Sequence, residues 1–142
     1  PAAASERDMM NIHGGASSPL GLLRSVASTA DINAAAEAVK SVRVDASVRD
    51  YILDIVTATR ESERIRLGVS PRGTLALLAA SRTAAAIEGR DYVLPDDVKA
   101  VAVPVLAHRI IAHTQGTVRI TDTNEKLIEF VLDSVAAPLG AG

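Results

Sequence analysis

The sequence predicts an all-α fold, a compact bundle of about six helices, on the basis of three observations. Apolar residues make up 48% of the 142 residues and aromatic residues only 2%, so the core must consist of Ala, Val, Leu and Ile. Such a composition, Ala above all, favours closely packed helices. Apolar residues recur at spacings of three and four, the period of an amphipathic helix. Ser, Asp or Pro precedes such segments and Gly or Pro follows them, as at helix starts and ends.

The length suits one domain, in which the first 27 residues form an N-terminal helix and a loop and residues 28–137 form the core of the bundle. Ser5 is expected to cap the first helix, which ends near His13 before two glycines. Residues 22–26 are expected to be extended.

Two capping signals open the second and third helices. Ser28 and Asp31 resemble a capping pair for a helix from Thr29 to about Lys40. Asp45 caps the third helix. The spacing of its apolar residues predicts one buried face, made of Val48, Tyr51, Ile52, Ile55, Val56 and Thr59.

The fourth helix begins at Ser70-Pro71, because Ser70 can accept a free amide of the first turn and Pro71 fits the first helical position. Gly89 stands where a left-handed residue would end it. One face of this helix is predicted to comprise Leu75, Leu78, Ala79, Arg82 and Ala86.

Pro95 starts the fifth helix, and Asp96 and Asp97 complement its positive end. Pro104 predicts a kink or break, followed by a second helical piece that runs to about Ala112.

The last helix follows a short segment, residues 118–121, in which apolar and polar residues alternate as in an extended strand. Asp122 or Thr123 caps the helix. Its predicted buried face comprises Leu127, Ile128, Val131, Leu132 and Val135.

Composition also argues against several classes of function. A formal charge of −2 does not suit a nucleic-acid-binding surface. There is no cysteine, so thiol chemistry is excluded. No apolar stretch approaches the ~20 residues that span a bilayer, and no signal-peptide pattern opens the sequence, so the expected location is the cytoplasm, without membrane binding.

The motifs of a self-sufficient nucleotide enzyme are missing. The pattern G-x-x-x-x-G-K-[ST] does not occur, and none of the three lysines, Lys40, Lys99 and Lys126, follows a glycine. The spacing of His108 and His113 is not that of metal ligands, and no metal site is predicted.

Arg72 is the most informative charged residue. It lies in the first turn of the fourth helix, where free amides and the helix dipole favour an anion, and a guanidinium there suits a phosphate. Gly73 beside it would allow a ligand or another backbone to approach closely. The alternative is an exposed arginine. By contrast, the arginines and glutamates of residues 60–66 are typical of a solvated charged loop.

An ordered series of motifs resembles the MoxR family of AAA+ ATPases. The series consists of residues 51–60 (YILDIVTATR), 67–78 (LGVSPRGTLALL), 89–93 (GRDYV), 95–98 (PDDV), Val105-Leu106 and His108-Arg109. The resemblance is dense from Val44 to Ile110 and extends in weaker form from Pro1 to Ala137. Val69 stands where many relatives carry Ala.

The resemblance implies an AAA+ lid, the C-terminal helical domain, with an upstream ATPase core that is absent from this chain. That core holds the phosphate loop, the second acidic motif and the arginine finger. The family's second-sensor arginine falls on Arg72, and Pro71 and Gly73 flank it in the nucleotide-binding segment. Arg82 also falls on a usual family position and is interpreted as structural. ATP and Mg²⁺ are implied for the full-length protein, with none bound by this fragment alone.

The resemblance also implies a mechanism and partners. The lid contacts the AAA+ core of its own or a neighbouring subunit in a homo-oligomeric ring, and Arg72 serves one of those two nucleotides. Loss of the γ-phosphate rotates the lid, and the rotation drives chaperone-like remodelling or complex maturation, in some relatives with a von Willebrand factor A-domain protein.

Two functions of other classes remain open from the residues. One is a stand-alone helical module that binds a partner protein in an apolar groove. The other is a helix-turn-helix DNA-binding domain around Gly89, which the charge of −2 disfavours. A reading frame that extends upstream into a phosphate loop would favour the lid.

Overall fold

A computed structural model describes residues 3–13, 23–113 and 123–138. The chain divides into two compact units, residues 1–34 and residues 35–142.

The first unit contains helix α1 (Ala3–His13) and the beginning of α2 (Thr29–Ser41). The prediction that Ser5 caps α1 is wrong, because the helix already begins at Ala3. Ala is the strongest helix former and extends the helix past the serine. Residues 23–26, expected to be extended, belong to no strand, and Val26 is fully exposed.

The start of α2 confirms the predicted capping pair. The backbone N–H of Ser28 donates to Asp31 Oδ2 at 2.8 Å, and the N–H of Asp31 donates to Ser28 Oγ at 3.2 Å. These reciprocal hydrogen bonds satisfy two amides that the helix itself cannot pair.

The second unit confirms the all-α prediction and adds a small antiparallel sheet. Its elements in chain order are the end of α2, α3 (Ala46–Glu61), β1 (Ile65–Leu67), α4 (Pro71–Ile87), α5 (Pro95–Leu106), a 3₁₀ turn (Ala107–Arg109), β2 (Ile111–Ala112) and α6 (Asn124–Ser134).

The core lies between α3, α4, α5 and α6. All six residues predicted for the inner face of α3 are buried. On α6, Leu127, Ile128 and Val131 are buried as predicted, while Leu132 and Val135 are half-buried. The predicted caps at Asp45 and Thr123 accept hydrogen bonds from backbone amides of the first turns of α3 and α6.

The predicted face of α4 is only partly right. Leu78 and Ala86 pack against the core, but the buried residues are Gly73, Leu77, Ser81 and Ala85, and Leu75 is 66% exposed. These four residues are spaced by four and therefore form one line along the helix. Three of them are small, which lets α4 pack closely along its main neighbour, α5.

The region after Pro104 also differs from its prediction. Helix α5 continues through Pro104 to Leu106, since a proline in the last turn removes only one backbone hydrogen bond. The expected second helical piece is only the 3₁₀ turn, because the chain then enters β2. Ile65 lies opposite Ala112, and Leu67 opposite Ile111. The extended segment predicted for residues 118–121 lies outside the described residues.

Among the described residues, no helix combines the length and the apolar character that crossing a lipid bilayer requires.

Candidate functional site

The start of α4 is built as the sequence predicts. Ser70 is the N-cap, and its carbonyl oxygen accepts hydrogen bonds from the amides of Gly73 at 2.8 Å and Thr74 at 3.1 Å. Ser70 Oγ also accepts a hydrogen bond from the Gly73 amide, at 3.3 Å. Pro71 occupies the first turn without an N–H. The cap therefore uses the Gly73 amide, and Pro71 has no amide to offer a ligand.

Arg72 carries the donors that remain in this turn. Its side chain is exposed, and neither its amide nor its guanidinium bonds to another described residue. Both groups lie at the positive end of the 17-residue helix α4. An oxyanion placed there could accept a backbone N–H and a guanidinium together, which is the chemistry that a phosphate group requires.

The end of α3 fixes the loop that leads to Arg72. Thr59 is fully buried, and its Oγ1 donates to the Val56 carbonyl at 2.6 Å and accepts the Val69 amide at 3.1 Å. Arg60 Nε donates to the Val69 carbonyl at 2.8 Å. Thr59 and Arg60 thus bond the N–H and the carbonyl of Val69, the residue before the N-cap.

The charged residues of the predicted solvated loop, residues 60–66, are exposed as expected, but they do not all lie in a loop. Arg60 and Glu61 end α3, Ile65–Leu67 is a strand, and Arg60 donates to the backbone of another segment. Gly68 passes close to the same arginine, since a Cβ at Gly68 would lie 2.7 Å from Arg60 Cα. The sequence could not reveal the Arg60 contact, because it depends on how the loop folds back onto α3.

Gly73 is buried for a reason that differs from the predicted approach of a ligand or another backbone. A Cβ there would lie 2.5 Å from Val69 Cγ1 and 3.5 Å from Arg109 Cδ. The Val69 side chain thus fills the space beside the glycine. The side chain of Arg109 also lies next to Gly73, in the first turn of α4, and is exposed. Its Nε donates to the Val105 carbonyl at 2.9 Å. The sequence did not indicate that Arg109 lies beside Gly73, because this contact exists only in the tertiary structure.

The start of α5 also has a proline in its first turn and an arginine nearby, but here the arginine is paired with a carboxylate. Arg90 donates through both terminal nitrogens to the two carboxylate oxygens of Asp97, at 2.7 and 2.6 Å. Asp97 also accepts the Leu94 amide at 2.7 Å. The hydrogen bond from Arg90 lowers the pKa of the Asp97 carboxyl, burial opposes that effect, and the Leu94 amide adds to the lowering. Arg90 is therefore occupied in stabilising the fold.

The chain is also similar in sequence to known proteins. A family model described as the AAA lid domain matches residues 57–129, half of the chain. An uncharacterised protein, YeaC of Bacillus subtilis, is 34% identical over 123 residues, which cover 87% of this chain and 38% of that protein. Chaperone MoxR1 of Mycobacterium tuberculosis is 34% identical over 124 residues, 81% of this chain and 33% of that protein. Protein MoxR of Paracoccus denitrificans is 36% identical over 106 residues, 66% and 30% of the two chains.

A solved structure agrees with the sequence relatives. The crystal structure of a candidate ATPase from Cytophaga hutchinsonii superposes with a TM-score of 0.79 at 27% sequence identity, covering 96% of this chain and 44% of that one. The chain spans about a third of the length of the curated relatives it matches. From its helical fold, its matched segment and these relatives, we conclude that the chain belongs to the AAA lid domain family, as the lid of a MoxR-like protein.

Proposed function

We propose that this domain serves as the lid of an ATPase and that Arg72 is its phosphate-sensing residue. The observation that carries the proposal is the start of α4, where the guanidinium and the amide of Arg72 are the donors left after the cap has used Ser70 and Gly73. Pro71 and Gly73 contribute the shape of the turn. In this proposal they flank the nucleotide, and Arg72 contacts it.

The donor set suits the phosphates of ATP. A guanidinium remains charged at all physiological pH values and can bond two phosphate oxygens at once. The residues of this turn include no carboxylate that would repel the anion. In the full-length protein, ATP would come with Mg²⁺ held by the ATPase core, and bound Mg²⁺ neutralises charge on the phosphates. Arg72 would orient the terminal phosphates and stabilise the charge that develops on them.

The end of α3 makes Arg72 able to report on the nucleotide. The contacts of Thr59 and Arg60 with Val69 connect the turn to the buried core of the lid. A contact that Arg72 makes only with the γ-phosphate would therefore favour one orientation of the whole lid, and loss of that phosphate would release it. Rotation of the lid relative to the core would drive remodelling of a client protein, in keeping with the chaperone name of one relative.

Turnover of ATP by the full-length parent tests the proposal. Substitution Arg72→Ala should slow turnover by roughly ten- to a thousandfold, since one charge-stabilising donor is lost. Arg66→Ala is the matched control, because Arg66 is also an exposed arginine but lies on β1. Unfolding curves and sizing columns show whether both variants fold and assemble normally. Equal turnover of wild type and Arg72→Ala would overturn the proposal.

A mixing experiment distinguishes the subunit that Arg72 serves. Subunits with Arg72→Ala are combined with subunits whose phosphate loop is inactivated, in a homo-oligomeric ring. If Arg72 acts on the nucleotide of a neighbour, mixed rings regain turnover, because intact arginines then face intact phosphate loops. If it acts within its own subunit, the mixture stays inactive.

Partners of the whole protein are part of the same proposal. The lid would pack on the AAA+ core, the parent would form a ring, and a von Willebrand factor A-domain protein would bind that ring. Sizing of the full-length parent with and without ATP tests ring formation. Co-elution with the A-domain protein tests the partner.

A further inference from the structure

A cleft of about 670 Å³ lies elsewhere on the lid. The end of α2, the start of α3, the segment of residues 92–95 and Pro138 surround it, and Arg82 reaches it from α4. Arg82 follows Arg72 by ten residues on the same helix, a rise of about 15 Å. The cleft is therefore separate from the proposed nucleotide contact, and the inference does not depend on that contact.

The floor of the cleft is apolar and held in place. Val44, Val48 and Val93 line it and are buried. Two backbone hydrogen bonds join its two halves, from the Arg43 amide to Asp91 O at 2.8 Å and from the Val93 amide to Arg43 O at 3.0 Å. A floor fixed in this way needs no rearrangement before a ligand binds, which favours affinity.

Cationic side chains surround this floor, and most of them have partners. Lys40 bonds Glu37 at 2.6 Å, and Arg43 lies 3.7 Å from Asp91. Arg49 lies close enough to the carboxylate of Asp45 to lower the pKa of that group, although the hydrogen bonds from Ser47 lower it more. The positive charge of the three cations is thus partly balanced by acids of the fold.

Arg82 differs from the other cations of the cleft. It is half-buried, its Nε is buried without a hydrogen-bond partner, and it forms no ion pair with any residue that the structure describes. One turn to either side of it on α4 lie Leu78 and Ala86, both packed against the core. Leaving the buried Nε without a hydrogen-bond partner is costly, and the side chain lines the cleft, where a carboxylate could pair with the guanidinium. The interpretation of Arg82 as a purely structural residue does not account for this unpaired charge.

The cleft suits one carboxylate better than a phosphate. Arg82 supplies one positive charge that no acid among residues 3–13, 23–113 and 123–138 pairs, and the carboxylate of Asp45 lines the same cleft and would repel a dianion. The floor valines are only 4–6% exposed, and the apolar surface that an aliphatic side chain could cover belongs to Tyr92 and Leu94, which line the same cleft and are 44% and 40% exposed. We propose that the cleft binds a segment of a partner protein that carries an aspartate or glutamate next to an aliphatic residue, with the carboxylate on Arg82 and the aliphatic side chain against Tyr92 and Leu94.

Selection from a random octapeptide library displayed on phage, with the 142-residue chain as bait, tests this binding. We expect enrichment of peptides with Asp or Glu beside Leu, Ile or Val. Exchange of that acid for its amide should weaken binding by about 10- to 100-fold, as for a charge-assisted hydrogen bond. Arg82→Met should abolish this preference for the acid, whereas the control Arg66→Met should keep it. Selection of no such pattern, a pattern that survives Arg82→Met, or tighter binding of phosphorylated peptides would overturn the proposal.

Thermal unfolding of the same variants separates binding from folding. Because Arg82 has no partner among the residues that the structure describes, Arg82→Met should leave the midpoint unchanged or raise it by a few degrees. A midpoint lowered by more than about 5 °C would mean that Arg82 stabilises the fold itself, and would overturn the inference.

Discussion

The starts of α4 and α5 are built from similar residues but differ in what their arginines do. Each helix has a proline in its first turn and an arginine close by. At α5, Arg90 bonds both oxygens of Asp97, whose side chain is 9% exposed. At α4, Arg72 is exposed and has no partner among the described residues. The difference separates an arginine that stabilises the fold from one that is available to a ligand.

The two helix starts differ in the acid rather than in the arginine. Asp97 accepts hydrogen bonds from Arg90 and from the Leu94 amide, so both donors at the start of α5 have a partner. The first turn of α4 contains no acid, and Ser70 caps it with a neutral hydroxyl and a carbonyl. Within the described part of the chain, Arg72 thus has no acidic partner at the positive end of the helix dipole.

Removal of the acid at α5 should have the largest effect on stability. Asp97→Ala leaves Arg90 without its partner and the Leu94 amide without its acceptor, so the free energy of unfolding should fall by about 2–4 kcal/mol. Urea unfolding of the chain measures the change. Asp96→Ala is the control, because the Asp96 side chain is 89% exposed, and it should change stability by no more than about 0.5 kcal/mol. Similar effects of the two variants would mean that the pair does not stabilise α5.

Filling the space beside Gly73 should have the next largest effect. In Gly73→Ala the new methyl group would clash with Val69, at 2.5 Å, and should cost about 1–3 kcal/mol of unfolding free energy. The clash should be relieved in the double variant with Val69→Ala, so that the two changes together cost less than their sum. Additive costs in urea unfolding would indicate that Val69 is not the neighbour that requires a glycine.

The pH dependence of stability sharpens the comparison further. The pKa of Asp97 is lowered in the folded state, so its charged form stabilises the fold. The advantage of wild type over Asp97→Asn should be full above the unfolded pKa of about 3.9 and be lost as the pH falls through the lower folded pKa. Urea midpoints of both proteins between pH 7 and pH 2 measure this. Asp31, Asp45 and Glu125 also have lowered pKa values but are present in both proteins. An advantage that grows on acidification would contradict the assignment.

The smallest effect is expected at Tyr51. Its side chain is buried and its hydroxyl has no hydrogen-bond partner, and burial is the main cause of its raised pKa. Tyr51→Phe removes only that hydroxyl, so the free energy of unfolding should stay within about 0.5 kcal/mol of wild type or rise. A loss above about 1 kcal/mol in urea unfolding would show that the hydroxyl is bonded in solution.

Local signals explain what the sequence could predict. The face of α3 and the caps at Asp45 and Ser70 depend on residues within a few positions of one another, and they are confirmed. Of the two caps predicted for α6, Asp122 and Thr123, the structure has Thr123. The position of Arg72 in the first turn of α4 follows from the same kind of signal. Its role with ATP depends on a core outside this chain and stays a prediction.

Contacts between distant segments explain what the sequence could not predict. Leu75 and Leu77 are equally apolar, and only the packing on α5 decides that Leu77 is buried. The pairing of β1 with β2 joins segments more than forty residues apart, each only two or three residues long. The contact of Arg60 with Val69 likewise exists only after the loop has folded.

The most direct test of the central claim is nucleotide discrimination by the full-length parent, measured as the dissociation constants of ADP and of a non-hydrolysable ATP analogue. If Arg72 contacts the γ-phosphate, Arg72→Ala should weaken binding of the ATP analogue about 10- to 100-fold more than binding of ADP. Arg66→Ala should leave both constants unchanged. Equal weakening of both nucleotides by Arg72→Ala, or none, would contradict the assignment of Arg72 as the residue that senses the terminal phosphate.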